Sequence, residues 1–214
     1  VTQPRRDWVN TTHDWAGTVD HDHLGLIRSE AARYAPGGLR HLVLEVLAYP
    51  EDEAESARRR GACTVTLHAD GSIAVDDDGR GTDTRLDEHS QPIRKPIMAT
   101  QDLRFFADPP SPLLPDGHPR RGMSVVAALS DWLVHTNRRR NGSWTQRYEY
   151  GVPVTDLEPI GPTFGQRADE PAPVTGTTVR FHADPAYVAG AVSAADLENF
   201  LRFSHLDIRV VALG

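Results

Sequence analysis

Ile73-Ala74-Val75-Asp76-Asp77-Asp78-Gly79-Arg80-Gly81 is the stretch on which the fold turns: an apolar run ends in three carboxylates and then in a Gly-x-Gly turn. A buried carboxylate must be paired or strongly hydrogen-bonded, so packing alone gives no reason for the cluster. The glycines let the backbone turn sharply and approach a ligand closely. A carboxylate at a strand end beside bare backbone is suited to accept a hydrogen bond from a nucleobase amine.

The segments around this stretch give it a setting. Cys63-Thr64-Val65-Thr66-Leu67-His68 alternates, and Asp70-Gly71 follows. Ile73–Val75 is therefore predicted as the second strand of a hairpin. Asn141-Gly142 marks another, between Trp132–Thr136 and Ser143–Tyr150. Strands are expected at Thr177–His182 and Ile208–Ala212, with a helix at Ala194–Phe203 between them. Upstream, a short helix is expected over Leu24–Arg33. Leu39, Leu42, Val43, Val46 and Leu47 then recur at helical spacing, with Glu45 inside the apolar stretch. Pro50 predicts a kink or restart before the helix continues through Glu51 to Arg60. Thr82 to Arg121 is a long loop rich in Pro, Asp and Gly, of the kind that is functional or disordered. It feeds Gly122–Ser130, read as a helix whose N-terminal N–H groups suit a phosphate.

At 214 residues the chain is long enough for one large domain with a sizeable core. A net charge of −7 argues against a broad nucleic-acid footprint. Arg138-Arg139-Arg140 reads as a solvated hairpin tip. The single cysteine, Cys63, forms no intramolecular disulfide. No apolar run reaches transmembrane length and no signal-peptide core is present, so a cytoplasmic address is expected, with no membrane partner. Residues 1–23 read as an N-terminal arm whose Trp8 and Trp15 need a partner surface; residues 24–214 form the domain. His13-Asp14 and His21-Asp22-His23 read as a solvated segment, and no metal-binding residues are assigned.

A helix with an unexpected Glu, a strand ending in Asp-Asp-Gly-Arg-Gly, and a long loop feeding a glycine-led helix stand here in order. Gly38-Leu39-Arg40-His41, Asp52-Glu53-Ala54, Gly122-Met123-Ser124-Val125-Val126, Tyr148-Glu149-Tyr150-Gly151-Val152-Pro153 and Thr175-Gly176-Thr177-Thr178-Val179-Arg180-Phe181 extend the pattern. Together they resemble the ATPase domain of the DNA gyrase B and topoisomerase IV B proteins, in the GHKL superfamily. The resemblance implies an α+β fold of the Bergerat type. This is a two-layer α/β sandwich with helices on one face of a mixed, mostly antiparallel sheet. It implies ATP, or another adenine nucleotide, between the helix layer and a lid. Asp77 accepts from the adenine amine with help from Thr177, and Glu45 is the general base. Arg80 and Glu53 flank the base as a salt bridge, with Asp52, Gly79 and Gly81 beside them. Val46, Ile73, Val75, Met123 and Val179 form the apolar wall, and Gly117 and Gly122 belong to the lid.

The sequence departs from the family at the phosphate end. Tyr49 stands where the family has its Mg²⁺-binding Asn, which argues against Mg²⁺ as a cofactor, since magnesium wants compact oxygen ligands. The lid reads Asp116-Gly117-His118-Pro119-Arg120-Arg121-Gly122 in place of Gly-Gly-x-His-Gly-x-Gly, and the lid lysine has no counterpart in Phe105–Pro110. A following transducer domain is absent from the sequence; the chain is read as a stand-alone relative or an excised domain, the former being expected. Two functions follow. One is an ATP-binding domain with weak or absent hydrolysis. The other is a pseudo-ATPase interaction module that has lost Mg-ATP binding. Expected partners are the nucleotide, a second copy through the N-terminal arm, and a gyrase-like protein; direct DNA binding by this chain is not expected.

Overall fold

The computed structural model describes residues 19–81, 98, 112–139, 143–160, 175–200 and 202–213. Its elements are α1 (His21–Ser29), α2 (Ala31–Tyr34), α3 (Leu39–Ser56), β1 (Gly61–Leu67), β2 (Ile73–Asp77), α4 (Met123–Ala128), β3 (Ser130–Arg138), β4 (Trp144–Glu149), β5 (Val152–Pro153), β6 (Glu158–Pro159), β7 (Gly176–Ala183), α5 (Ala194–Phe200) and β8 (Leu206–Ala212). The strands form one sheet in the order β5-β4-β3-β7-β2-β1-β8, with β6 on β4. Among the described strands only β1 and β8 run parallel; the other neighbours are antiparallel. This is the α+β sandwich with a mixed, mostly antiparallel sheet that the sequence implied.

Alternation along the strands decides which face is covered. Cys63 and Val65 of β1, Ile73 and Val75 of β2, Leu133 of β3, and Val179 and Phe181 of β7 are buried in one core with α1, α3 and α4. On the other face, Ala62 of β1 and Asp207 and Arg209 of β8 are exposed. Leu42, Val43 and Leu47 of α3 are wholly buried against the sheet, each contributing on the order of 1.5–3 kcal/mol by burial. Leu44 and Ala48, on the other side of α3, pack against Leu114. α3 is thus enclosed between the sheet and the described part of the long loop, and that sandwich positions the site.

Several boundaries differ from the sequence expectation. α1 begins at His21, three residues before Leu24, because the Asp20 carboxylate caps it by accepting from the His23 N–H at 2.9 Å. A second turn, α2, completes the expected Leu24–Arg33 helix. α3 runs unbroken through Pro50 and ends at Ser56, short of Arg60. The residues flanking the proline are anchored outside the helix and carry it across the lost hydrogen bond. Glu51, for instance, accepts from the Ser204 and His205 N–H groups at 3.1 and 3.0 Å. α4 covers Met123–Ala128, and Ser130 already belongs to β3. Trp8, Trp15, His13-Asp14, Phe105–Pro110 and Asn141-Gly142 lie outside the described residues. β3 and β4 nonetheless pair with Asn137 opposite Trp144, as a hairpin there requires. No described helix is long and apolar enough to cross a membrane.

Candidate functional site

The charged end of β2 is built on close backbone approach. One Asp77 oxygen accepts from the Gly79 N–H at 2.8 Å, and Thr177 donates to the same carboxyl through its hydroxyl and its backbone N–H. Burial pushes the Asp77 carboxyl above the usual carboxylate range, against those hydrogen bonds, which favour the ionised form. A Cβ at Gly79 would sit 2.7 Å from both Asp77 Oδ1 and Glu53 Oε2, so a larger residue there would push these carboxylates aside. Gly176, at φ +135°, passes so close to the Asp77 carbonyl that a Cβ would lie 1.9 Å from its oxygen. Glu53 receives the Arg80 N–H at 2.8 Å and lies 3.6 Å from the Arg80 side chain.

Beside this end lies a cavity of about 60 Å³, lined by Val46, Tyr49, Val75, Asp77, Met123, Thr177 and Val179. These residues come from α3, β2, α4 and β7, and each is a candidate on sequence grounds. Pro50, Met98 and His135 complete the wall. Ile73, expected in the apolar wall, does not line it: it is buried and borders the cleft at the other end of β2. Asp52, Glu53, Gly79, Arg80, Gly81 and Gly122 do not line the cavity. Gly117 is a turn residue, its N–H bonded to the Leu114 carbonyl at 2.8 Å. A larger open cleft of about 280 Å³ lies at the opposite end of β2 and β7, near His68 and His182. His182 there already faces Asp131 at 2.8 Å.

The region next to the cavity is organised by one face of α3. His41, Glu45, Tyr49 and Asp52 recur at helical spacing, so they form a single stripe. The loop segment returns along that stripe: Leu113 bridges Pro119, and the Arg120 N–H reaches the Pro112 carbonyl at 2.9 Å. Each member of the stripe then takes a loop partner. Asp116 meets His41 Nδ1 at 2.7 Å. The two Glu45 oxygens accept from the Arg121 and Gly122 N–H groups at 2.5 and 2.8 Å. The Tyr49 hydroxyl accepts from the Met123 N–H at 3.2 Å. Arg120 donates through Nη1 to Asp52 at 2.6 Å and lays its guanidinium over the Tyr49 ring, 4.7 Å from the centroid.

His41 and Glu45 are fully buried, with His41 Nε2 3.4 Å from Glu45 Oε1. Burial alone lowers an imidazole pKa, but the hydrogen bonds and charges of Asp116 and Glu45 outweigh it and raise His41 from 6.5 to about 9. Burial likewise opposes ionisation of Asp116, but His41 and the His118 N–H hold its carboxyl below the usual range. A raised folded-state pKa stabilises the fold fully below about pH 6.5 and loses that contribution as pH rises through about 9. The swing is roughly 3 kcal/mol. Urea unfolding should therefore show the wild-type midpoint falling across this window while His41→Gln stays comparatively flat. Equal pH profiles for the two proteins would rule out a buried imidazolium.

Sequence reasoning does not reach Asp116, Met98, Pro50 or His135 as site residues, and it raises Arg120 only as a candidate phosphate-binding charge beside Arg121. Asp116, Arg120 and Met98 lie in the loop, where no periodicity marks which side chains return to the domain. The stripe does not fit magnesium. Tyr49 offers a phenol already accepting from Met123, and both Glu45 oxygens are engaged by backbone donors. Among the described residues no group of three or more His, Cys, Asp or Glu is placed to hold a metal ion.

No protein-family model matches the chain. It is 38% identical over 156 residues to the B subunit of DNA gyrase from Thermotoga maritima, covering 69% of this chain and 22% of that protein. Against the B subunit of DNA gyrase from Haloferax volcanii it is 37% identical over 187 residues, covering 84% of this chain and 28% of the relative. The B subunit of DNA topoisomerase 4 from Bacillus subtilis is 34% identical over 166 residues, which are 73% of this chain and 24% of that one. The chain thus spans about a quarter of the length of these relatives. With the sheet order, the Asp77 turn and α3 stripe all in one sandwich, the chain belongs to the gyrase B and topoisomerase IV B family, as a divergent relative of its ATPase domain.

Proposed function

We propose that this chain is an adenine-nucleotide-binding domain of the gyrase B type in which ATP hydrolysis is weak or absent. The observation that carries the reading is the state of Glu45. A general base must be open to the proton it removes and lie within reach of the attacking water. Here both Glu45 oxygens accept from the Arg121 and Gly122 N–H groups, and His41 lies against one of them. Those N–H groups are also the donors a polyphosphate would need. Tyr49 takes the next one, on Met123. Asp77, with one oxygen on Gly79 and Thr177 beside it, supports a base pocket that is kept.

The same three N–H contacts favour a second reading, a pseudo-ATPase interaction module that has lost Mg-ATP binding. The relatives are components of DNA gyrase and topoisomerase 4, so a gyrase-like protein is the partner this reading takes; self-association through the N-terminal arm is the other.

Calorimetric titration with ATP, with and without Mg²⁺, separates the two. The first reading expects adenine-nucleotide binding that is indifferent to Mg²⁺, and phosphate release no faster than in a protein-free control. Mg²⁺-dependent turnover well above that control would sink the claim of weak or absent hydrolysis. A lack of binding by ATP, ADP and adenosine at millimolar concentration would leave only the interaction module. Tyr49→Asn is expected to gain Mg²⁺ dependence in binding before it gains turnover, because Glu45 remains engaged.

A further inference from the structure

We propose that Arg120 is the receptor for one oxyanion, and that its ligand is a nucleoside monophosphate whose base sits at Asp77. This rests on the reading of the Asp77 cavity as a base pocket and goes further by naming the ligand class.

The Arg120 side chain is 5% exposed. Nη1 is bonded to Asp52, and the guanidinium face lies on Tyr49. Nε and Nη2 are buried and have no acceptor among the described residues. These two nitrogens are not an arbitrary pair. Their N–H bonds lie side by side on one edge of the guanidinium, the edge that meets the oxygens of a phosphate or carboxylate in a bidentate fork. Arg60 uses the same edge in this molecule, placing Nε and Nη2 at 3.0 and 2.5 Å from Asp207.

A buried donor without an acceptor is costly, so an arriving oxyanion recovers more here than it would from a solvated arginine. The side chain is also restrained in advance. Asp52 holds one corner and Tyr49 one face, which lowers the ordering cost of binding. Tyr49 both stacks on Arg120 and lines the Asp77 cavity, so the fork and the base pocket share a wall.

The number of phosphates follows from what is already occupied. The consecutive N–H groups of Arg121, Gly122 and Met123 are taken by Glu45 and Tyr49. A second or third phosphate would have to displace them, and the stripe offers no fit for the magnesium that usually accompanies such a chain. A single phosphate needs only the fork.

The test is calorimetry with adenosine, adenosine monophosphate, inorganic phosphate and Mg-ATP against the wild type. Adenosine monophosphate is expected to bind at least about tenfold tighter than adenosine. Inorganic phosphate alone should bind more weakly than the monophosphate, and Mg-ATP no tighter than it. In Arg120→Gln and in Arg120→Lys the monophosphate advantage should fall to about one, because lysine keeps the charge but has no fork. Melting curves check that both variants fold; the wild-type comparison stands without them. Equal affinities for adenosine and its monophosphate would overturn the receptor while leaving the base pocket intact. Mg-ATP binding tighter than the monophosphate, phosphate alone matching it, or a full advantage kept in Arg120→Lys would each overturn it too. Binding of no adenine compound at millimolar concentration would overturn the base pocket, and the receptor with it.

Discussion

Asp77→Asn is expected to weaken adenine binding on the order of 100-fold while leaving the fold as stable as before or more so. One oxygen of Asp77 accepts from the Gly79 N–H and Thr177 donates to the same carboxyl, so a base amine would take a lone pair that these donors leave. In the asparagine variant the amide oxygen keeps the Gly79 bond, and its NH₂ group replaces an acceptor, so it meets the base amine donor against donor. A lost charged hydrogen bond of about 1.5–3 kcal/mol corresponds to roughly 10- to 100-fold, and the unpaired donor adds to it. The stability half follows from the raised pKa of Asp77. The folded protein holds that proton more tightly than the unfolded chain, so ionisation costs stability as pH rises above about 4. Asparagine removes that cost. Calorimetry and thermal melting on the same sample check both halves, and adenosine affinity within a few-fold of wild type would refute the assignment of Asp77 to the base.

The contrast between the two ends of the site explains what can be read from the sequence. Asp77, Val75, Thr177 and Val179 sit on strands, where a period of two places them on the covered face, and the Asp70-Gly71 turn sets the register of β2 on β1. Glu45 stands out because it interrupts an apolar helix. Tyr49 is singled out by the resemblance, but nothing in the sequence says that its hydroxyl takes the Met123 N–H. That contact depends on where the loop comes back. Asp116 and Arg120 reach α3 through the Leu113–Pro119 turn, whose position is fixed by Leu114 packing on Leu44 and Ala48. Such long-range closure leaves no periodic signal. The unbroken helix at Pro50 escapes sequence reasoning for a related cause: the proline cost is local, whereas the anchors that offset it are tertiary.

The Glu45 contacts imply a second large effect, and it concerns stability rather than activity. Glu45→Ala should destabilise the fold by about 3–5 kcal/mol, the range for removing one partner of a buried charge pair. The substitution leaves the Arg121 and Gly122 N–H groups and the buried His41 imidazolium without their shared acceptor. A glutamate reserved for activating water behaves oppositely, since active-site residues are commonly kept at some cost and their removal is neutral or stabilising. Tyr49→Phe gives the scale for a neighbouring contact: it removes one hydroxyl acceptor and should cost about 1 kcal/mol. Urea unfolding of both variants at pH 7 reads the difference. A Glu45→Ala midpoint at or above wild type would return Glu45 to the role of an open general base. A loss clearly larger than that of Tyr49→Phe would mean that the carboxylate now serves as the keystone joining α3 to its loop.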